Sequence, residues 1–205
     1  MITKNKIIKI IELAKKCNEC ALHHFKKFDK KSVNYKDDNS PLTKADVEVN
    51  NIAVYGLQKL FPNIEIISEE LYNSKHIFKN NKYFWLIDPI DGTKEFINKS
   101  PNFTVNFALV KHNSPIFGLI AQPTTGIIWY NFNNKAWKLD KDQDFKNSQI
   151  IQCKEINYKK LRTLSSFNHR SKELEDWISF VKPISDEDIG CSIKFCYLAE
   201  GKVDF

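Results

Sequence analysis

The chain has 205 residues, of which 42% are hydrophobic and 27% charged, and its formal net charge is +6. That length suits one domain or two small subdomains with enough apolar material for a core, and no stretch stays apolar for long enough to span a membrane. Much of the excess positive charge lies in lysine-rich stretches such as Lys26 to Lys36; these read as a solvated helix end and loop or as a field that attracts anionic substrates such as phosphates, whereas nucleic-acid binding is disfavoured because basic and aromatic residues do not interleave on one face.

Ile7, Ile10, Ile11, Ala14, Cys17, Ala21 and Phe25 recur at helical spacing, which predicts an amphipathic helix near 4–28. Its start, Met1 to Lys16, interrupts isoleucines with lysines and is no secretory signal. A cytoplasmic location follows, which leaves room for peripheral association with the inner membrane. Five cysteines, an odd number, agree with a reducing compartment. Cys17-x-x-Cys20 has no second CxxC or His-x-x-x-His partner, and His23 and His24 would not all share one helix face with both cysteines. The expectation is reduced, partly buried thiols rather than zinc.

Lys30 to Ser40 is polar and loop-like. Ser40-Pro41-Leu42-Thr43 opens a second helix over about 44–60, with Val47, Val54 and Leu57 inside, and Phe61-Pro62-Asn63 stops it. Ile64 to Ser68 reads as a strand that ends at Glu69-Glu70, and Leu71 to Asn81 as a polar excursion. The apolar run Tyr83 to Ile87 predicts a buried strand delivering Asp88-Pro89-Ile90-Asp91-Gly92-Thr93. Strands are expected at Phe103–Lys111, Ile116–Gln122, Gly126–Phe132 and Lys135–Leu139, with hairpin turns at Asn113-Ser114-Pro115 and Pro123-Thr124-Thr125. The charged stretch Asp140 to Ser148 is the candidate boundary between an N-terminal α+β subdomain (1–140) and a C-terminal α/β subdomain (149–205). Beyond it come a strand at Leu161–Ser166, helices at Ser171–Val181 and Cys191–Glu200, and the start of a strand at Val203-Asp204-Phe205. Helices first, an antiparallel meander next and α/β afterwards predict a layered α+β architecture.

The Asp88–Thr93 block carries the chemistry. Pro89 fixes its own φ and lacks an N–H, so a rigid turn there folds both carboxylates toward one point and exposes the Ile90 carbonyl between them. Carboxylates and a carbonyl oxygen are ligands for magnesium. Gly92 permits close approach of a phosphate to the backbone N–H groups of Gly92 and Thr93. The bland alternative is that Asp88 and Asp91 cap the following helix; the second acidic pair behind another strand, Glu69-Glu70, argues against it. Taken alone, Asp46 reads as a solvent-facing helix residue, Thr93 as a helix N-cap, and His169 and Lys194 as surface residues. Haloacid-dehalogenase-type phosphatases use D-x-D-G-T with the first Asp as nucleophile, and here that position is Pro89.

Ser68-Glu69-Glu70 followed by Asp88-Pro89-Ile90-Asp91-Gly92-Thr93 resembles the inositol-monophosphatase-like superfamily of magnesium-dependent, lithium-sensitive phosphatases. Lys94-Glu95-Phe96, Ser40-Pro41-Leu42-Thr43-Lys44-Ala45-Asp46 and Ser192-Ile193-Lys194-Phe195-Cys196 with Ala199-Glu200-Gly201 resemble its 3'(2'),5'-bisphosphate nucleotidase branch. The resemblance implies an αβαβα sandwich of the inositol-phosphatase/sugar-phosphatase type. It implies Mg²⁺ ligated by Glu69, Asp88, Asp91 and the Ile90 carbonyl, and an attacking water oriented by Asp46, Thr93 and Glu69. Gly92 and Thr93, with Glu69, Ile90 and Asp91 beside them, would hold the scissile phosphate, and His169 and Lys194 would lie near the nucleotide. The branch's Ser-Arg-Ser-His is kept only in part as Ser166-Phe167-Asn168-His169, and its Gly-Ser-Ser is Gly190-Cys191-Ser192.

The implied reaction is hydrolysis of adenosine 3',5'-bisphosphate to AMP and phosphate, with inositol monophosphatase or sugar bisphosphatase activity as the nearer alternative. The family's W-D-x-A-A-G segment, whose aspartate completes the metal site, has no counterpart among the 205 residues. The expectation is therefore a truncated nucleotidase with an incomplete second subdomain and little activity. The alternative is a non-catalytic remnant that binds phosphate or a complementing C-terminal fragment. Relatives' behaviour implies a homodimer.

Overall fold

The structure, a computed structural model, describes residues 2–29, 34–35, 41–71, 83–166 and 170–205. Helix α1, Lys4–Lys27, starts at Thr3, whose hydroxyl accepts from the Lys6 N–H. Its buried stripe is the one the spacing predicts: Ile7, Ile10, Ile11, Ala14, Cys17 and Ala21 face the core. Two short strands, β1 (Asn34–Tyr35) and β2 (Pro41–Leu42), pair antiparallel where only a polar loop is legible. Helix α2, Lys44–Leu60, packs against α1, so closely at Gly56 that a Cβ there would collide with the Leu13 side chain. Val47 is half-exposed rather than interior, because the buried stripe of α2 runs through Ala45, Val49, Ala53 and Leu57 instead.

A seven-stranded sheet forms the centre. Strand β3 (Glu65–Ser68) lies parallel to β4 (Tyr83–Asp91), and from β4 the sheet continues as an antiparallel meander. Its members are β5 (Thr104–Lys111), β6 (Ser114–Ala121), β7 (Ile128–Phe132), β8 (Lys135–Leu139) and β9 (Gln149–Ile151). The β5–β6 turn falls on His112-Asn113 and the β7–β8 turn on Asn133-Asn134, all four with positive φ. This is the two-residue hairpin geometry that matches strand twist, and it moves the first turn one residue earlier than the proline suggested. Strand β9, beyond the charged Asp140–Ser148 segment, is the last strand of this sheet. One face is covered by α1 and α2 around a core that includes Trp85, Phe96, Phe103, Phe107, Leu119 and Ile128.

After the sheet come β10 (Arg162–Ser165), α4 (Lys172–Val181) and β11 (Ser185–Asp188), with β10 and β11 parallel. The helix between α2 and α4 in the chain is α3, Thr93–Ile97, and the last helix is α5, Ile193–Ala199. A small separate core of Leu164, Ile189, Cys191, Ile193 and Val203 holds this part together. Strand β11 is Ser-Asp-Glu-Asp and gives no apolar signal; its two aspartates, Asp186 and Asp188, are held by Arg170, Thr163 and Ser165. Val203-Asp204-Phe205 hydrogen-bonds along β10 without forming a regular ladder. The architecture is mixed α/β, as the order of elements predicts. No helix among the described residues is long and apolar enough to cross a membrane.

Strand β4 sets the faces. Trp85 is fully buried between Phe61 and Phe117, while Leu86 next to it is 42% exposed. Trp85→Ala is expected to lower stability by about 3–5 kcal/mol, and Leu86→Ala by less than about 1 kcal/mol. Urea unfolding of the two variants checks this, and equal losses would mean that the face assignment is wrong.

Candidate active site

Two aspartates three residues apart on a regular strand point to opposite faces, because side chains alternate with a period of two. Strand β4 escapes this with a bulge. Asp88 lies opposite Asn106 and Asp91 opposite Thr104, so three steps on β4 match two on β5. The extra residue resets the alternation and returns Asp91 to the side of Asp88. Pro89 suits that position, since a bulge leaves one backbone group out of the ladder and proline has no N–H to lose. The block is thus the bulged end of the strand rather than a turn beyond it.

The next residue, Gly92, has φ +93°, and a Cβ would lie 3.0 Å from the Asn102 carbonyl and 3.1 Å from the Cys191 Cβ. It is the N-cap of α3, and Thr93 is the first residue inside that five-residue helix. The Thr93 hydroxyl lies 3.1 Å from the Ile90 carbonyl and 3.4 Å from Asp46 Oδ1, both acceptors. Asp46 is buried, not solvent-facing. Its Oδ2 accepts from the Thr43 N–H at 2.8 Å and the Thr43 hydroxyl at 2.5 Å, closing a capping box at the start of α2. The signal was in the sequence: Thr43-x-x-Asp46 directly precedes the helical run.

Glu69 and Glu70 follow β3 on a single 3₁₀ turn, Glu69–Leu71. The preceding Ser68 is buried and donates to Asn50 of α2 at 2.6 Å, which anchors that turn. Four carboxylates from three elements, Asp46, Glu69, Asp88 and Asp91, therefore lie near enough to act on one another, and Asp88 and Glu69 share a hydrogen bond. The Asp88 carboxyl is pushed up to about 8, first by burial and then by Asp91, Glu69 and Asp46, with a hydrogen bond to Glu69 adding to the effect. Its Oδ1 is sealed from solvent with no hydrogen-bond partner. Converging hard oxygen donors and an orphaned buried carboxylate oxygen fit a divalent cation of the magnesium type.

Asp91 is held from the other side. Its Oδ2 accepts from the Ser192 N–H at 2.6 Å and lies 3.5 Å from the Thr104 hydroxyl. Ser192 Oγ is 2.7 Å from Thr104 Oγ1 and donates to Asn106 Oδ1 at 2.9 Å. This network ties the bulged strand to the start of α5, and no local pattern pointed to it. Gly190 has no room for a side chain because it packs on the Glu95 carboxylate. Cys191 is buried, and burial pushes its thiol up to about 12, so it stays protonated. Lys194 donates to the Ile189 and Cys191 carbonyls at 2.9 and 3.0 Å. His169 lies outside the described residues. Asp46, Glu69, Asp88, Ile90, Asp91, Gly92 and Thr93 are thus gathered in one place.

Residues 4–205 match the inositol monophosphatase family. The chain is 34% identical over 200 residues to the 3'(2'),5'-bisphosphate nucleotidase CysQ of Buchnera aphidicola subsp. Acyrthosiphon pisum, covering 98% of this chain and 74% of that protein. It is 31% identical over 196 residues to the protein of the same name from Escherichia coli (strain K12), covering 94% and 76%. Among solved structures, CysQ from Bacteroides thetaiotaomicron, a bacterial member of the inositol monophosphatase family, superposes with a TM-score of 0.76 at 27% identity over 97% of this chain and 77% of that one. The Thermotoga maritima IMPase superposes with a TM-score of 0.74 at 22% identity and speaks to the fold alone.

The raised Asp88 carboxyl has a consequence for stability. Below about pH 4 the group is protonated in both the folded and the unfolded chain. Between about pH 4 and 8 the unfolded chain releases the proton while the folded one keeps it, so stability falls as pH rises through that window. Asp88→Asn is therefore expected to stabilise the chain in the presence of a chelator, by an amount that grows from near zero at pH 4 to a few kcal/mol (order of magnitude) at pH 8. Denaturant melts at both pH values check this, and a variant that is less stable at pH 8 than the parent would contradict it.

Proposed function

The chain belongs to the inositol monophosphatase family, and from that premise we propose that it is a magnesium-dependent 3'(2'),5'-bisphosphate nucleotidase acting on adenosine 3',5'-bisphosphate. The family is one of phosphoric monoester hydrolases, and the proposal narrows it to the activity that the CysQ relatives' names carry. The observation that supports it most is the meeting of Glu69, Asp88 and Asp91 with the Asp46–Thr93 pair beside Gly92.

Glu69, Asp88, Asp91 and the Ile90 carbonyl would hold the cation, which when bound supplies Lewis-acid neutralisation of the phosphate and a lowered pKa for water. The chain's own residues do the positioning. Asp46 has one oxygen fixed by Thr43 and turns the other to the Thr93 hydroxyl. With its single proton directed at Asp46 and the Ile90 carbonyl, that hydroxyl can only accept from any further partner. A water that donates to Thr93 keeps its lone pairs free to attack phosphorus. In the reaction the water oxygen joins phosphorus and the ester P–O bond breaks; of the two protons of the water, one stays on the released phosphate and the other is delivered through solvent to the leaving ribose oxygen, which departs as a hydroxyl. Gly92, with no Cβ, lets the phosphate approach the backbone. Lys194 spends two of its three N–H donors on carbonyls and keeps the third for the anionic nucleotide. His169 is assigned to the same end by its motif.

The test separates binding from chemistry. Calorimetry is expected to show adenosine 3',5'-bisphosphate binding that requires Mg²⁺, survives in Thr93→Val and disappears in Asp91→Ala. Phosphate release by the parent is expected to exceed that of Thr93→Val by about 100-fold, to favour the nucleotide over inositol monophosphate and fructose bisphosphate, and to be inhibited by lithium. Faster release from inositol monophosphate would overturn the substrate assignment, and nucleotide binding indifferent to Mg²⁺ would overturn the role of the carboxylates.

A further inference from the structure

The cysteine pair Cys17-x-x-Cys20 does not act as a pair. Cys17 is fully buried in the α1 stripe, and burial pushes its thiol up to about 12. Cys20 lies on the flank of the helix and is only half-buried. One turn later on the same flank stands His24, since positions i and i+4 share a helix face. From α2, Glu48 reaches across to both. His24 Nε2 is 2.8 Å from Glu48 Oε2, and the Cys20 thiol lies 3.9 Å from the same oxygen. One ligand atom from each of the three residues falls within 4.8 Å of the other two. The sequence argument that two cysteines and two histidines cannot share one face holds; what it could not supply is the third ligand from the neighbouring helix.

We propose that Cys20, His24 and Glu48 form a second metal site, separate in ligand set from the all-oxygen cluster at Asp88, and that it takes zinc or a similar borderline-soft divalent ion. The donor set is sulfur, nitrogen and oxygen, which favours zinc, cobalt or copper over magnesium. At ordinary zinc bond lengths, tetrahedral geometry separates nitrogen from oxygen by about 3.3 Å and sulfur from oxygen by about 3.6 Å. The existing 2.8 and 3.9 Å differ from these by a few tenths of an ångström, and the sulfur and nitrogen, already within 4.8 Å of each other, are brought to bonding separation by side-chain rotation of Cys20 and His24. That side chain is 58% exposed and His24 23% exposed, so the carboxylate can move and water can fill the fourth position. The two ligands on α1 are held in register by the helix, and the packed α1–α2 interface fixes the distance to the third. On coordination the Cys20 proton and any proton on His24 Nε2 leave to solvent. The ion then cross-links α1 to the first turns of α2, two residues from Asp46.

The simpler reading of these contacts is a surface His–Glu ion pair with a thiol beside it, and cobalt distinguishes the two. The reduced 205-residue chain, held in excess Mg²⁺ to occupy the carboxylate cluster, is titrated with Co²⁺. The expected result is a thiolate-to-cobalt charge-transfer absorption that saturates at one equivalent and is displaced by Zn²⁺. It should vanish in Cys20→Ala and in His24→Ala, and persist in Cys153→Ala, which removes the exposed thiol. Glu48→Gln is expected to weaken binding by at least the 10-fold or so typical of losing a group that merely orients a ligand. Circular dichroism checks that each variant folds. No charge-transfer band in the folded parent, a band that survives Cys20→Ala, or unchanged affinity in Glu48→Gln would each overturn the proposed ligand set.

Discussion

The site depends on one extra residue in one strand. Without the bulge between Asp88 and Asp91, the two carboxylates would stand on opposite faces of the sheet, one toward the α1–α2 core and one away from it. With it, they share a side, and the chain leaves β4 through Gly92 in a conformation that only glycine adopts easily. Everything else in the site is arranged around that point. The 3₁₀ turn after β3 brings Glu69 because β3 is the parallel neighbour of β4. The capping box of α2 brings Asp46, and α5 brings Ser192 against Asp91.

The same arrangement carries an electrostatic cost. Burial and three neighbouring acids hold the Asp88 carboxyl far above the usual carboxylate range. Carboxylates crowded in this way repel one another and favour the protonated form. A fold that only had to be stable would gain by replacing one of them with an amide. Their retention in one place, with a buried oxygen left unpartnered, is accounted for by a cation that neutralises them.

Much of this was legible in the residues. The α1 stripe, the α2 boundaries and the meander were readable from periodicity and turn residues, because each of those elements buries one face against the others. The acidic block was legible through its spacing, although as a turn rather than a bulge: a bulge is defined by the partner strand, which local sequence does not contain. Asp46 was misjudged when taken alone because its burial comes from Thr43 and Thr93, on either side of it in space. Strand β11 was invisible because its stabilisation comes from Arg170 and the hydroxyls of β10 rather than from apolar side chains. The Thr104–Ser192–Asn106 network joins residues up to 88 positions apart and leaves no local trace. Glu48 escaped for the same reason: its contacts are with another helix.

The central claim is that Glu69, Asp88 and Asp91 form a divalent-cation site whose repulsion the cation relieves. The most direct measurement is the unfolding free energy of the 205-residue chain at pH 8 as a function of Mg²⁺ concentration. A site of this kind predicts stability that rises, once Mg²⁺ exceeds its dissociation constant, by about 1.4 kcal/mol for each tenfold increase. Stability that stays flat as Mg²⁺ is raised would contradict it.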